Sequence, residues 1–418
     1  MLRKATLGIL CSASLVPFLF AQERAPIYEE EVRLLSAHTK VLELRDEQGA
    51  RVAVCPQWQG RVMTSTCDGD QGVSFGWINH KFIKEGQTSK VFNNYGGEDR
   101  FWISPEAGQF AFFFEPKAEQ KVANWLAPPG LNEGEFRALA LFAGERQIGY
   151  RMNRRMQLTN YSGGKFDLDV TRTIKLLGVP QFEELFGTDA GAPLRAGKAR
   201  LVGFASDNSV VNRGERMKRE KGLLSIWTLG QFKPGDHTVI IIPYVAGKEP
   251  ALGPVVTPDY FAPLPPERLK VTPKAILFLG DGKFRAKIGV SPQRAKAVAG
   301  SYDFDQHILT IVSYSQPADA AERMYINNRW ELPLAEPYQG DAFNSYNDGP
   351  AEPGAEALGG FYELETLSPT LELAPNEALD HTHRTFHLLG DQAALAAIAR
   401  AVLEVDLSEV RLAMFGDK

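Results

Sequence analysis

A chain of 418 residues with a formal charge of −5 and 23% charged residues lacks the basic balance that nucleic-acid binding needs. At 44% hydrophobic its composition is that of a globular protein and not of a disordered one. Its 38 glycines and 26 prolines, above average usage, point to many turns and against an architecture of long helices.

In chain order, Arg3 and Lys4 precede the apolar run Ala5–Ala21, the layout of a secretory signal peptide with a small residue, Ala21, at the cut. The run is barely long enough to span a bilayer, and Ser12, Ser14 and Pro17 weaken it further. A bulky Leu10 before Cys11 speaks against a lipoprotein. Removing residues 1–21 leaves 397 and moves the formal charge to −7. No later segment reaches membrane length, so the sequence predicts a secreted or periplasmic protein with no membrane span after signal removal. Cys55 and Cys67 remain, and either a disulfide or two free half-buried thiols is compatible with the sequence.

Short apolar segments bounded by turn residues follow: Val52–Val54, Phe110–Phe114, Phe166–Ile174, Thr238–Ile242, Ala275–Leu279 and Ile308–Tyr314. Phe166–Ile174 alternates apolar and polar, broken only by Arg172, which is the period of a half-buried strand. Thr238–Ile242 is continuous and β-branched, so it reads as a strand buried on both faces, with Pro243 ending its pairing or placing it at an edge. Gln71-Gly72, Ser162-Gly163-Gly164, Pro234-Gly235-Asp236 and Gly280-Asp281-Gly282 mark turns, and Pro263–Pro273 reads as a long internal connection. One clear helix, Asp391–Val405, carries Ala and Leu at helical spacing and is expected outside the sheet. Together these predict an all-β fold, a large antiparallel sandwich or barrel over residues 22–418, with two β domains as the alternative.

Three segments are dense in residues that bind sugars or move protons. The first, Asn93-Asn94-Tyr95-Gly96-Gly97-Glu98-Asp99-Arg100-Phe101-Trp102, combines amides, carboxylates, a guanidinium and aromatic faces. Fork donors and carboxylates bind hydroxyl pairs, and an aromatic ring covers the apolar face of a pyranose. A turn with a surface ion pair is the bland alternative. The second, Tyr338–Pro350, reads as a loop carrying Asn344, Asn347 and Asp348. In the third, Gly359–Pro369, Glu363 and Glu365 project to one face of a strand, where like charges raise one pKa and suit general acid–base work. His381 and His383 alternate on a final strand; with no third ligand nearby, a structural or surface role is expected. No CxxC or Cys/His cluster points to zinc and no EF-hand spacing to calcium, so neither metal nor cofactor is expected.

Gly360-Phe-Tyr-Glu-Leu-Glu-Thr366 followed by Leu373–Thr382 resembles the end of an aldose 1-epimerase, with its Leu-Glu-Thr strand and closing Asp-His-Thr. Ile308–Pro317, Tyr325–Asn328, Asn94–Gly97, Met156–Asn160, Phe166–Ile174 and Cys55–Arg61 resemble other galactose mutarotase segments, collinear over most of residues 40–390. The resemblance implies the galactose mutarotase-like β-supersandwich with a short C-terminal helix, in a secreted bacterial branch. It implies a glutamate base at Glu365. The family's histidine acid has no counterpart near Ser206–Ser209, its His-Gly-Gly histidine is Tyr95, and Lys287 stands where a substrate-binding aspartate is usual. Tyr95, Asp99 or Glu363 would then have to act as the acid.

The sequence thus predicts a secreted protein that binds a mono- or oligosaccharide. Glu365, Glu363 and Asp99 are its candidate catalytic residues. Arg100, Glu98, Tyr95, Trp102, Lys287, Asn344, Asn347 and Asp348 line the site, and Trp102 or Trp58 offers a stacking face. A non-catalytic glycan-binding protein, and a glycosidase or lyase using two carboxylates such as Glu365 and Asp99, are the rival readings.

Overall fold

The structure is a computed structural model that describes residues 26–143, 148–261 and 263–416. The signal-peptide reading of residues 1–21 therefore lies outside the described residues.

The alternation seen in Phe166–Ile174 becomes the strand Lys165–Leu177, in which the even-numbered side chains are buried. Arg172, the residue that breaks the pattern, falls on the buried side. This strand belongs to a ten-stranded sheet in the order Leu269–Val271, Ala275–Leu279, Thr238–Pro243, Val298–Asp303, Ile308–Tyr314, Ala378–Gly390, Ala199–Asn212, Lys165–Leu177, Ile148–Thr159, Arg137–Ala143. A five-stranded sheet runs Ala286–Val290, Phe343–Asn347, Tyr362–Leu367, Ser225–Phe232, Arg100–Ser104. A three-stranded sheet, Leu42–Arg45, Arg51–Cys55 and Arg61–Thr66, precedes both. Every strand pairing within these sheets is antiparallel. This is the all-β sandwich expected from the sequence.

The large and the five-stranded sheets face each other across an apolar core with a few buried hydrogen bonds. Tyr362 and Ser301 share one of 2.8 Å, and Thr366 and His381 another of 2.8 Å. Thr238–Pro243 is buried on both faces, as its composition predicts. Ile240 and Ile242 enter the core between the sheets, while Val239 and Ile241 pack under the C-terminal helices. Full burial of each such side chain contributes about 1.5–3 kcal/mol. Helix Gln392–Leu403 buries Leu395, Ile398, Ala399, Val402 and Leu403 on one face and stops at Glu404, in the left-handed region at φ 59°.

Five sequence expectations resolve differently or more sharply. Phe110–Phe114 forms no strand: its rings point several ways, Phe112 against Phe166, Phe113 against Trp125 and Phe114 against Trp330. The segment read as a loop around Asn344 contains the strand Phe343–Asn347. Pro243 ends its strand but sits inside the sheet, opposite Ala275. A second helix, Leu407–Phe415, follows the expected one. Cys55 and Cys67 are free and buried.

Candidate functional site

In a strand, successive side chains face opposite ways and directly paired residues face the same way. Glu365 is paired with Asn344 on one side and Leu229 on the other, and Leu229 with Arg100. Glu363 is paired with Tyr346 and Gln231, and Tyr346 with Lys287. The register thus gathers Arg100, Trp102, Trp227, Gln231, Lys287, Asn344, Tyr346, Glu363 and Glu365 on the outer face, away from the large sheet.

There the charges interlock. Arg100 Nη2 donates to Glu363 Oε1 at 3.1 Å. Lys287 Nζ and Trp227 Nε1 both donate to Glu365 Oε2 at 2.9 Å. Glu106, carried in by the segment after Ser104, lies 3.9 Å from the other side of Lys287. Tyr260 donates to Asp341 at 2.6 Å and accepts from Asn344 Nδ2 at 3.1 Å. Burial pushes Glu363 up to about 8; Arg100 opposes this, and the charge of the neighbouring Glu365 adds to it. Burial also raises Glu106, against the pull of Lys287, and lifts Asp341 to about 6. Burial lowers Arg100 but is more than offset at Lys287, which Glu365 and Glu106 hold above the usual lysine range.

Glu363 and Glu365 lie two residues apart on one strand face, and burial beside a like charge favours a proton on Glu363. Several atoms around this pair are buried without a protein partner: Glu365 Oε1, Asn344 Oδ1, Gln231 Oε1, and Arg100 Nε and Nη1. These are both donors and acceptors, and a hydroxyl-bearing ligand offers both in return.

The remaining expected site residues go elsewhere. Asp99, adjacent to Arg100, turns to the opposite face, where Arg172 and Ser206 Oγ bond its two oxygens. Glu98 accepts from Ser65 N at 2.6 Å and faces His387 Nε2 at 3.0 Å. The sheet separates Asp99 from Glu365, and no catalytic pair forms between them. Tyr95 stacks on Trp58 at 4.1 Å, so each ring covers the stacking face of the other. Trp102 is on the outer face, but the Arg100 guanidinium lies 4.0 Å above it and Phe113 and Trp227 pack around it. Asn347 faces inward and fastens Asp281 and the Phe284 carbonyl. Asp348 accepts from Tyr346 Oη at 3.0 Å and from the amides of Gly359 and Gly360 at 2.8 Å, closing the base of the 349–358 excursion. Asn94 donates to the Leu358 carbonyl beside it. His381 and His383 are structural: both bond Thr366, and burial holds them down at about 3 and 4, hence neutral.

Sequence reasoning missed Glu106, Trp227, Gln231, Tyr260 and Asp341. Trp227 and Gln231 lie on a strand whose alternation could have found them. Glu106, Tyr260 and Asp341 arrive from irregular segments that carry no periodic signal.

A family model described as a family of unknown function (DUF6786) matches residues 26–414. No curated protein matches. Among solved structures, the chain is similar to a galactose mutarotase-like protein from Clostridium acetobutylicum, at 12% identity over 85% of this chain and 100% of that one, with a TM-score of 0.47. It is also similar to the Slr1438 protein from Synechocystis sp. PCC 6803, at 13% identity over 84% and 96% respectively, with a TM-score of 0.46.

Proposed function

The chain belongs to the DUF6786 family of unknown function, and from that premise we propose that its outer-face site binds a sugar and interconverts its anomers, in the manner of an aldose 1-epimerase. The observation that carries the reading is the Glu363–Glu365 pair, two buried carboxyls on one strand face, the first bonded by Arg100 and the second by Lys287 with one oxygen left free. Glu365 Oε1 takes the proton of the anomeric hydroxyl while Glu363 gives its proton to the ring oxygen. The bond from C1 to the ring oxygen breaks, the aldehyde rotates, and as the ring closes Glu363 takes its proton back from the attacking hydroxyl while Glu365 returns the other to the carbonyl oxygen. Glu363 takes the place of the absent histidine acid, and a carboxyl titrating at about 8 is protonated at neutral pH. Lys287 and Trp227 fix the other oxygen of Glu365, and Arg100, Gln231 and Asn344 supply hydrogen bonds to hydroxyls. In the same reading residues 1–21 direct export, and the mature protein, periplasmic or secreted, begins at Gln22; N-terminal mass spectrometry of the exported protein tests this.

Anomerisation followed by NMR across a panel of aldoses is the test. Glu365→Gln is expected to lower turnover about 100-fold or more while sugar still binds. The activity is expected to fall as pH rises through about 8, and Glu363→Gln to lower turnover and leave the residual activity without that limb. Undiminished turnover in Glu365→Gln rejects the assignment. Sugar binding without turnover in the wild type selects the purely binding role instead, which the short Lys287–Glu365 ion pair favours by tying up the base.

A further inference from the structure

Resting on that carbohydrate reading, we infer that the site selects an anionic sugar, a uronate or a sugar phosphate, and that Arg285 is the residue that makes the selection. The cations around the site are paired with carboxylates, with one exception. Arg100 is bonded to Glu363, and Lys287 lies between Glu365 and Glu106. Arg285 is the cation left over: among the described residues it makes no ion pair, and its guanidinium rests 3.6 Å above the Phe261 ring. Phe261 in turn meets Tyr346 and Trp330 edge-on, at 6.2 and 6.3 Å. Arg285 is close enough to act electrostatically on both Glu106 and Tyr346. It is half-buried, whereas Lys287 and Glu363 beneath are only 4% and 5% exposed. It therefore stands at the outer rim of the site.

Its position along the chain sets the geometry. Arg285 immediately precedes the strand Ala286–Val290 and is two residues before Lys287, so it falls on the same side of the chain, about 7 Å along. Glu365 lies level with Gly289, about 13 Å along the strand from Arg285, so a sugar anchored at Glu365 runs past Lys287 toward the rim. With the anomeric hydroxyl at Glu365, a carboxylate or phosphate at the far end of the sugar faces the rim, where Arg285 is the cation without an ion pair among the described residues. A planar guanidinium already held flat on an aromatic ring loses little freedom on binding and presents its edge as a fork. A neutral hexose leaves that fork in water, so affinity should split between the two ligand classes.

The experiment is calorimetric titration of the full chain with glucuronate, glucose 6-phosphate and glucose, at two salt concentrations, in wild type, Arg285→Gln and Arg285→Lys. Wild type is expected to bind at least one anionic sugar about tenfold or more tighter than glucose, with the margin shrinking at high salt. Arg285→Gln should erase the margin with less than about a twofold change for glucose, and Arg285→Lys should restore part of it. The arm that retains the margin, carboxylate or phosphate, identifies the group. Equal affinity for glucose and both anions in wild type, or a parallel loss for all three in Arg285→Gln, overturns the inference and leaves the carbohydrate reading standing. Binding of none of the three, with none of the wider aldose panel bound either, overturns both.

Discussion

The two faces of the five-stranded sheet handle buried charge in opposite ways. On the inner face Asp99 and Glu98 have both carboxylate oxygens bonded, by Arg172 and Ser206 in one case and by Ser65 and His387 in the other. On the outer face Glu365 has one oxygen bonded twice and the other not at all, and Glu363 keeps a proton that an exposed glutamate would have lost. Adjacent residues, Asp99 and Arg100, serve these different ends. Carboxylates with both oxygens bonded fix two sheets together, whereas a buried carboxylate with a free oxygen raises the energy of the empty protein and lowers it again only when a ligand arrives. The second pattern marks the site.

The contrast can be broken most sharply on the inner face. Arg172→Met leaves Asp99 buried without its cation, and the expected loss is about 3–5 kcal/mol, read from urea unfolding. A loss below about 1 kcal/mol would show that the inner pair is as loosely held as the outer one. Titration of stability gives an intermediate and signed effect. His381 and His383 titrate below their reference of 6.5, so their contribution is present above 6.5 and is lost as pH falls toward 4 and 3. Glu363 titrates above its reference of 4.5, so its contribution is present below 4.5 and is lost as pH rises through about 8. Between about 6.5 and 8 Glu363 acts without those histidines, and stability is expected to decline there in wild type and to be flatter in Glu363→Gln. Parallel profiles of the two proteins would place the proton elsewhere. The smallest effect belongs to Tyr95→Phe: stacking on Trp58 is kept, so stability should change by no more than about 0.5 kcal/mol and sugar turnover not at all. A large loss of turnover would return Tyr95 to the site.

The sheet architecture was legible because it rests on period and turns. Phe166–Ile174, Ala275–Leu279 and Ile308–Tyr314 all lie in strands. The Glu363–Glu365 face was legible for the same reason, since i and i+2 on a strand share a side. The Asn93–Trp102 segment misleads because it reads as one constellation, although a strand begins at Arg100 and sends Asp99 and Arg100 to opposite sides. Arg172 looked like an error in a strand pattern; it is the buried partner of Asp99, 73 residues away, and no local signal encodes that distance. Glu106, Tyr260 and Asp341 are hidden for a related reason: irregular backbone places them, and its path is decided by packing on the sheet.

The Asp348 carboxylate, which ties Gly359 and Gly360 to the end of its own strand, has a consequence for how this protein could change over generations. With its base closed by three hydrogen bonds, the 349–358 excursion can lengthen, shorten or exchange sequence without disturbing the strands on either side. Asn94 holds its last turn next to Gln231, on the face that carries the site. It is therefore a module through which descendants could acquire new ligand preferences, and a grafting point for engineers who want a reporter beside the site and a scaffold left alone.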